Sequence, residues 1–510
     1  MTLLSLLTDR DPDSVAAIDA DVPVTTRELL RRTLTLRADL AAAGIVPGDC
    51  VAVWLPNWSE ALSWQFATAS LGAHVIGVNT RYNVDEVTHV LARARPKVVA
   101  LARDFHGLDL AGRLRAAVER SGVSPVVVPV TRGTGDVRDE PLPEPVPDAL
   151  AVAFTTSGST GAPKLAAHTA SAVAGHARAD AAAIGIRPGD VVLCALPLSG
   201  VFGFNTAMAA LAAGATCLLE PVFDPAAVLA AMVRERVTHV VGGDDMVGRL
   251  ADAWRGADLS AWRWLGIADF QGRTRELAEW ARREFGTLTS GVYGSSEVFA
   301  LTTLWPQDEP VPRRWQGGGR PVSPRIEARA ADPVTGQPVP DGEQGELQLR
   351  GPNVVDAYLG DTDAAARAFT DDGWFRTGDL AEIDADGGIR YVCRMGDVLR
   401  LRGFLVDPAE IEHRLAEHES VEVAKVVGIR GDDGADEAVG FVVLAPGACT
   451  DGEQLRAWCG RTLARFKVPS AIHVIDEMPT TSGTNGTKIR AAALREEARR
   501  RHDAAGEAVR

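Results

Sequence analysis

Apolar and polar positions along the first hundred residues switch between two textures. Thr25 to Leu40 has the spacing of an amphipathic helix, whereas Val51-Ala-Val-Trp-Leu55 is an unbroken apolar run bounded by Gly48-Asp49 and Pro56-Asn57, which predicts a buried strand. Trp58 to Leu71 reads as helix, His74 to Val78 as strand, Val84 to Ala94 as helix and Val98 to Leu101 as strand. Strands that alternate with helices predict a parallel sheet with helices on its faces. Residues 131–148 are rich in Pro, Gly and acids and read as a surface loop, and Ala151 to Thr155 is a further strand. The same alternation resumes from Asp190 to Leu301. Between Pro321 and Arg350 the runs shorten and turns multiply, as in Gly345-Glu-Leu-Gln-Leu-Arg350, which predicts a small β subdomain.

The expected fold class is therefore α/β. A large N-terminal domain of layered α/β units plus the β subdomain spans residues 1–395, and a small α+β domain spans 396–510, ending in a charged helix and tail from Ala491 to Arg510. Met395-Gly396-Asp397 stands between them as a hinge. Val191 to Leu219 carries no charge and is long enough to cross a membrane. Pro197, Gly200, Gly203, Asn205 and Gly214 interrupt it, so it reads as a buried strand, a loop and a buried helix. Met1 to Leu7 is apolar but short and lacks a basic flank, unlike a signal peptide. A cytoplasmic protein without membrane insertion is expected.

Charge and composition narrow the partners. The chain has 68 acidic and 53 basic residues and a net charge of −15. That disfavours the broad basic faces that bind nucleic acid or anionic lipid, while leaving room for a local basic pocket. Cys50, Cys194, Cys217, Cys393, Cys449 and Cys459 form no CxxC pair and have no His at ligand spacing. They read as buried thiols of a reduced compartment, not as a zinc site. Five of the 53 basic residues are lysines: Lys97, Lys164, Lys425, Lys467 and Lys488. Where arginine is used almost everywhere, a retained lysine marks a place where a guanidinium fork cannot serve. Chance suffices for Lys97 and Lys425 and is a weaker account of the other three.

The strongest local signal is Thr155-Thr-Ser-Gly-Ser-Thr-Gly-Ala-Pro-Lys164, directly after a strand. Glycines let backbone N–H groups close around an anion, and the hydroxyls add donors. It is not a Walker A loop, because Gly161 is followed by Ala162-Pro163-Lys164 instead of Lys-Ser/Thr. A flexible surface loop is the plain alternative.

Thr156-Ser-Gly-Ser-Thr-Gly-x-Pro-Lys164 resembles the phosphate-loop signature of the adenylate-forming superfamily, whose members include acyl- and aryl-CoA ligases, adenylation domains of peptide synthetases and beetle luciferases. Further motifs follow in order. Tyr293-Gly-Ser-Ser-Glu297 resembles YGxTE, Gly345-Glu-Leu347 resembles GEL, and Trp374-Phe-Arg-Thr-Gly-Asp379 resembles GWxxTGD. Arg394 with Asp397, Gly403 and Pro408-Ala-Glu-Ile-Glu412 resembles the hinge motif. Phe466-Lys-Val-Pro469 and Gly486-Thr-Lys-Ile489 resemble the C-terminal lysine region. The resemblance covers nearly the whole chain.

Activating a carboxylate with ATP requires the acid oxygen to attack the α-phosphorus while pyrophosphate leaves, so cations and fixed donors must meet the phosphoryl oxygens. The resemblance implies that Thr156, Ser157, Gly158, Ser159, Thr160, Gly161 and Lys164 hold the β- and γ-phosphates. It implies that Glu297 and Thr160 contact Mg2+, that Tyr293 stacks on adenine beside Gly294, Ser295 and Ser296, that Asp379 accepts both ribose hydroxyls, and that Arg394 contacts ribose or phosphate. Lys488 would bridge the substrate carboxylate and the α-phosphate, making Lys488, Glu297 and Thr160 the catalytic set. Taken singly, Glu297 reads equally as a helix cap, Tyr293 as core, Asp379 as an Asx-turn residue and Lys488 as a solvated tail lysine. The ordered set is what carries the assignment. The small domain is implied to rotate about Gly396 between half-reactions, removing Lys488 and admitting a thiol. Asp or Lys usually occupies that hinge position.

Three segments depart from the family pattern. Pro197-Leu-Ser-Gly-Val-Phe-Gly203 has Ser199 and Gly200 where bulk is usual, which opens one wall of the acyl pocket. No acid lies between Ser199 and Asn205 to hold an α-ammonium, which speaks against an amino-acid substrate. Gly266-Ile-Ala-Asp-Phe270 replaces the usual GGAP, and Pro479-Thr-Thr-Ser-Gly-Thr-Asn-Gly-Thr-Lys488 extends the lysine motif. Pocket candidates by position are Gly200, Phe204, Asn205, Gly291 and Ala300. The implied activity is ATP-dependent conversion of a fatty or aryl acid to acyl-AMP and then to acyl-CoA, with ATP, Mg2+ and CoA. The alternatives are a stand-alone adenylating enzyme that loads a carrier-protein phosphopantetheine, or one that activates an unusual acid such as nitrite in a natural-product pathway.

Overall fold

Local signals start and stop the helices. The Thr25 hydroxyl accepts the Glu28 amide at 3.1 Å and opens the helix Thr26–Ala42. Asn83 and Glu86 form a reciprocal capping box that opens Val84–Ala94. Gly185 and Gly286, both left-handed, close Ala170–Ile184 and Thr274–Phe285. The computed structural model describes residues 2–133, 135, 137–156, 163–270, 272–395, 399–401, 404–406, 408–430, 436–483 and 486–508.

Among the described residues the N-terminal part builds two large sheets. The first has seven strands in the order Ala357–Tyr358, Leu165–Thr169, Leu150–Thr155, His74–Gly77, Cys50–Trp54, Val98–Ala102 and Val126–Val130. Cys50–Trp54 and Val98–Ala102 are buried at every position, as an unbroken apolar run requires in a sheet covered on both faces. The second sheet has thirteen strands. Its parallel part runs Leu288–Tyr293, Trp264–Ala268, His239–Gly243, Val191–Cys194, Thr216–Leu219 and Val15–Asp19, and Val22–Thr25 closes that edge in antiparallel. One apolar core joins both sheets through residues such as Phe154, Phe204, Leu265 and Phe299.

The structure revises three expectations. The β-rich stretch is not a free-standing sheet. Thr303–Leu304 pairs with Leu288–Tyr293, Gly318–Pro321 pairs with Thr303–Leu304, and Ile389–Arg394 pairs with Gly318–Pro321. The edge of the parallel sheet is thereby covered instead of being left open. The stretch still has its own apolar cluster, including Leu347, Leu349, Val354, Phe375 and Ile389. The charge-free segment also holds one element more than expected: after the buried helix Val201–Ala212, Thr216–Leu219 is a strand between Val191–Cys194 and Val15–Asp19. Five of the six cysteines are buried thiols, but Cys449 is exposed, contrary to expectation.

The C-terminal part shares no described strand with these sheets. Val421–Arg430, Asp436–Leu444 and Ala471–Val474 form a three-stranded sheet around Ile411, Leu415, Val442 and Leu455. Two hairpins flank it, Leu399–Leu401 with Phe404–Val406 and Thr480–Gly483 with Gly486–Ile489. The helix Ala491–Ala508 follows. Gly396 lies outside the described residues. Among the described residues no helix is long and apolar enough to cross a membrane.

Candidate active site

The site forms where the large sheet changes from parallel to antiparallel, at the C-terminal end of Leu288–Tyr293, a place where α/β sheets commonly open a crevice. The chain leaves this strand at Gly294 and doubles back. A Cβ on Gly294 would come within 2.6 Å of the Ala300 Cα, so only glycine fits. Phe299, Ala300 and Leu301 are left-handed, with φ of 66°, 38° and 47°. Such residues cost roughly 1–3 kcal/mol each and persist only when their surroundings dictate them.

One side of the site is a closed set of polar contacts on three strands. Asp379 lies in Phe375–Ile383 and faces Arg394 across the antiparallel pair with Ile389–Arg394. Arg394 Nη1 donates to Asp379 Oδ1 at 2.9 Å and to the Thr377 carbonyl at 2.8 Å. The Tyr293 hydroxyl donates to Asp379 Oδ2 at 2.7 Å, and its ring lies 5.6 Å from that of Tyr391, tilted by 31°. Burial and then the Asp379 charge push the Tyr293 phenol well above its ordinary value. Burial alone would lower the Arg394 guanidinium, but Asp379 beside it leaves it raised. Each Asp379 oxygen has taken one donor, and a carboxylate has about four acceptor sites, so acceptor capacity remains for two hydroxyls.

The other side is an open cavity of about 200 Å³ lined by Lys164, Glu297, Tyr358, Arg367, Arg376 and Arg394. Four cations there face one carboxylate. Burial pushes the Glu297 carboxyl above its ordinary value, while Arg394 and Lys164 act in the opposite direction. Burial and the nearby Glu297 charge push the Tyr358 phenol above its ordinary value, and Lys164 Nζ sits 4.9 Å from the Tyr358 ring centroid. Arg376 is held by Glu346, Nε to Oε2 at 2.9 Å, which gives the Gly345-Glu-Leu347 element a local purpose. The neck of the glycine-rich loop is tied twice: Thr156 N donates to the Lys164 carbonyl at 2.9 Å, and Lys164 N donates to the Thr156 hydroxyl at 3.1 Å.

Among the residues singled out from sequence, Tyr293, Gly294, Ser295, Ser296, Glu297, Asp379, Arg394, Thr156 and Lys164 thus belong to one locality. Ser157, Gly158, Ser159, Thr160 and Gly161 lie outside the described residues. Lys488 pairs with Thr481 in the Gly486–Ile489 hairpin, and this strand lies beside the helix Asp244–Ala253. The placement of its side chain lies outside what is described.

Of the acyl-pocket candidates, Gly200, Phe204 and Asn205 share the helix Val201–Ala212 and its cap, and Asn205 reaches the Ala300 carbonyl. Phe204, with Ser199, walls a separate void of about 20 Å³ against Val53, Gln65, Phe154 and Leu198. Asn205 is fully buried and donates to Asp180 and to the Ala300 carbonyl. Gly200 caps the helix Val201–Ala212. A Cβ on Gly291 would meet the Gln316 carbonyl oxygen at 1.9 Å. Sequence reasoning missed Tyr358 and Arg367, which belong to no quoted motif. It passed over Arg376 and Thr377 although both stand inside Trp374–Asp379.

Residues 7–359 match the family model described as AMP-binding enzyme, and residues 410–484 match the AMP-binding enzyme C-terminal domain. Over 475 residues the chain is 32% identical to a feruloyl-CoA synthase of Amycolatopsis sp, with 92% of this chain and 94% of the relative covered. The structure is similar to ATP-bound MatB from Rhodopseudomonas palustris, with a TM-score of 0.86 at 26% identity over 98% of this chain and 100% of that one. It is similar to the amide bond synthetase McbA from Marinactinospora thermotolerans, with a TM-score of 0.84 at 29% identity over 97% and 98%.

Proposed function

We propose a function from the premise that the chain belongs to the AMP-binding enzyme family: it is an ATP-dependent, AMP-forming acid–thiol ligase that converts a fatty or aryl carboxylic acid to its CoA thioester. One observation carries the reading. Tyr293, Asp379 and Arg394 make a hydrogen-bonded set suited to a nucleoside, and directly beside it four cations surround Glu297 in a cavity suited to phosphates.

In the first half-reaction a carboxylate oxygen bonds to the α-phosphorus, and the bond to the β-phosphate oxygen breaks, so that pyrophosphate leaves with the electron pair. Asp379 accepts the ribose hydroxyls, and Tyr293 with Tyr391 supplies the aromatic side of the adenine site. Lys164, Arg367 and Arg376 neutralise charge on the departing phosphates, and Lys488 steadies the substrate carboxylate against the α-phosphate. In the second half-reaction the thiol sulfur bonds to the acyl carbon, AMP leaves, and the thiol proton passes to solvent. Exchange of the two geometries requires residues 396–510 to turn as a unit against 1–395 about Gly396, whose lack of a Cβ permits large changes in φ and ψ.

Mg2+ is the expected partner of the phosphates. Glu297 fits it: a hard-oxygen carboxylate, half-buried, whose side chain opens on the cationic cavity, and Mg2+ commonly takes one or two carboxylates with phosphate and water oxygens. Glu297 and Thr160 would hold it, and when bound it would neutralise charge between phosphates. The unpaired thiols support a reduced, cytoplasmic location. The likeness to an amide bond synthetase supports one second reading, transfer to an acceptor other than CoA, such as carrier-protein phosphopantetheine in a natural-product pathway.

The test is pyrophosphate release over a panel of fatty, aryl and amino acids, each with and without CoA. Release with fatty or aryl acids, and thioester formed when CoA is present, is the expected result. Release that CoA neither accelerates nor converts to thioester supports the second reading, and release with amino acids alone overturns the substrate class.

A further inference from the structure

Behind the Ser295–Leu301 turn lies a polar cluster that the chemistry above does not use. His168, at the end of Leu165–Thr169, is fully buried, as are Asp180, on the helix Ala170–Ile184, and Asn205, on Val201–Ala212; His176, one turn before Asp180, is 4% exposed. Burying polar groups is costly unless their hydrogen bonds are made, and an apolar core would fill this space at lower cost. The bonds that are made point in one direction. His168 Nε2 contacts the Ser296 carbonyl at 2.7 Å, and His176 Nε2 contacts the Ala300 carbonyl at 2.8 Å. A carbonyl only accepts, so both Nε2 atoms carry the proton.

The two imidazoles grip the turn on either side of Glu297 and meet the left-handed Phe299 edge-on, at 4.8 and 5.5 Å. Asn353 Nδ2 donates to the Val298 carbonyl at 2.7 Å, and the Val355 amide donates to the Glu297 carbonyl at 2.6 Å. Four carbonyls of a strained turn are thus held by donors from outside it. Asp180 accepts from Asn205 and lies 3.3 Å from His176 Nε2, which fixes that ring and ties the turn to the helix behind Ser199 and Gly200. Burial pushes both imidazoles down to about 4 and the Asp180 carboxyl up, so the cluster favours neutral forms.

We propose that His168 and His176 are positioning residues, whose Nε2–H donors hold the Ser296–Ala300 turn so that the Glu297 carboxylate faces the phosphate cavity in the geometry that a divalent cation on a nucleoside triphosphate requires. The inference rests on the nucleotide reading of the cavity and not on the identity of the acid or the acceptor. Positioning residues behind a metal ligand change metal affinity by about 10–100-fold when removed.

The test is calorimetric titration of the full chain with ATP, with and without MgCl2, and with AMP. Wild type that binds neither ATP nor AMP overturns the nucleotide reading itself, before any variant is made. In His168→Phe and His176→Phe the ring remains but the donor is gone. The expected result is that the Mg2+-dependent gain in ATP affinity falls by about tenfold or more while AMP affinity stays within about twofold. In turnover the KM for MgATP rises and the KM for the acid holds. Should the Phe variants not fold, His176→Gln and His176→Asn still decide the matter. Both carry the same amide, but only the glutamine nitrogen reaches the Nε2 position. The proposal requires Gln to keep the Mg2+-dependent gain and Asn to lose it. Equal behaviour of the two, or a parallel loss of ATP and AMP affinity in the Phe variants, overturns it.

Discussion

The two ends of the site are built on opposite plans. At the nucleoside end Tyr293, Asp379 and Arg394 satisfy one another across three strands, so the geometry exists before any ligand arrives. At the phosphate end Lys164, Arg367 and Arg376 gather around one half-buried carboxylate with a surplus of positive charge, so part of the partnering is left for an anion to complete. Arg367 is exposed, and among the described residues it forms no ion pair. Each end therefore keeps its energy in a different place. Damage to the first should appear in stability and function together, whereas damage to the second should appear in function alone.

The largest expected effect tests the open end at its extreme. If Lys488 bridges carboxylate and α-phosphate as proposed, pyrophosphate release in Lys488→Ala should fall by about 10²–10³-fold, the scale for loss of one fixed transition-state donor. The melting temperature should hold, because the hairpin that carries Lys488 is paired through its backbone. Retained release would remove Lys488 from the chemistry. Next comes the closed end. Asp379→Ala strips Arg394 and Tyr293 of their common acceptor, and Asp379 is only 5% exposed. With the guanidinium partly solvated, a cost of about 1–3 kcal/mol in denaturant unfolding is expected, together with loss of AMP binding. Tyr293→Phe, which removes one hydrogen bond, should cost about 1 kcal/mol. Unchanged stability in Asp379→Ala would mean that the closed set does not exist in solution.

What could be read from sequence divides along the same line. Tyr293, Glu297, Asp379 and Arg394 came into view because the ordered motifs around them resemble those of a known family, whereas taken singly Glu297, Tyr293 and Asp379 read equally as cap, core and turn residue. Tyr358 and Arg367 escaped because nothing local distinguishes them. Tyr358 matters only because the two-residue strand Ala357–Tyr358 pairs with Leu165–Thr169, and Arg367 only because the helix Thr362–Ala368 ends over the cavity. The histidines escaped for a related reason: His168 and His176 look like isolated polar residues on apolar elements until a distant turn lies against them. From Thr25 to Ala102 the helices and strands fell within a residue or two of their apolar periods, while Ser5–Thr8, Val15–Asp19 and Val22–Thr25 went unread. Thr216–Leu219 was absorbed into the preceding helix, since Gly214 is the one turn residue between Val201–Ala212 and that strand.

Arg367 should give an effect of intermediate size at the phosphate end. Arg367→Ala should raise the KM for ATP about fivefold, equivalent to ~1 kcal/mol for an exposed, screened charge, and should weaken product inhibition by pyrophosphate to a similar degree. AMP affinity and melting temperature should not change. The difference from wild type should shrink at about 1 M salt, where the screening length drops to about 3 Å. An effect that persists at high salt would mean that Arg367 shapes the cavity sterically, and the phosphate end would then be less open than it looks.

The smallest effect concerns the support beneath both ends, which resembles neither. Asp180 is fully buried, with Asn205 as a donor and neutral His176 nearby, and burial holds its carboxyl well above the usual range. An acid whose folded value is raised binds its proton more tightly in the native state than in the unfolded chain. The unfolded chain therefore binds fewer protons, and stability falls as pH rises from about 4, the unfolded value, up through the raised folded value. Asp180→Asn keeps the shape and an acceptor for Asn205 but has no proton to lose, so it should remove that slope. Relative to wild type, the variant should gain about 1–2 °C in melting temperature at pH 8 over its standing at pH 5. The opposite slope, a variant less stable at pH 8 than at pH 5 relative to wild type, would mean that Asp180 is ionised and paired in the native state. The turn that carries Glu297 would then rest on a buried charge pair, and both ends of the site would share an electrostatic foundation instead of a neutral one.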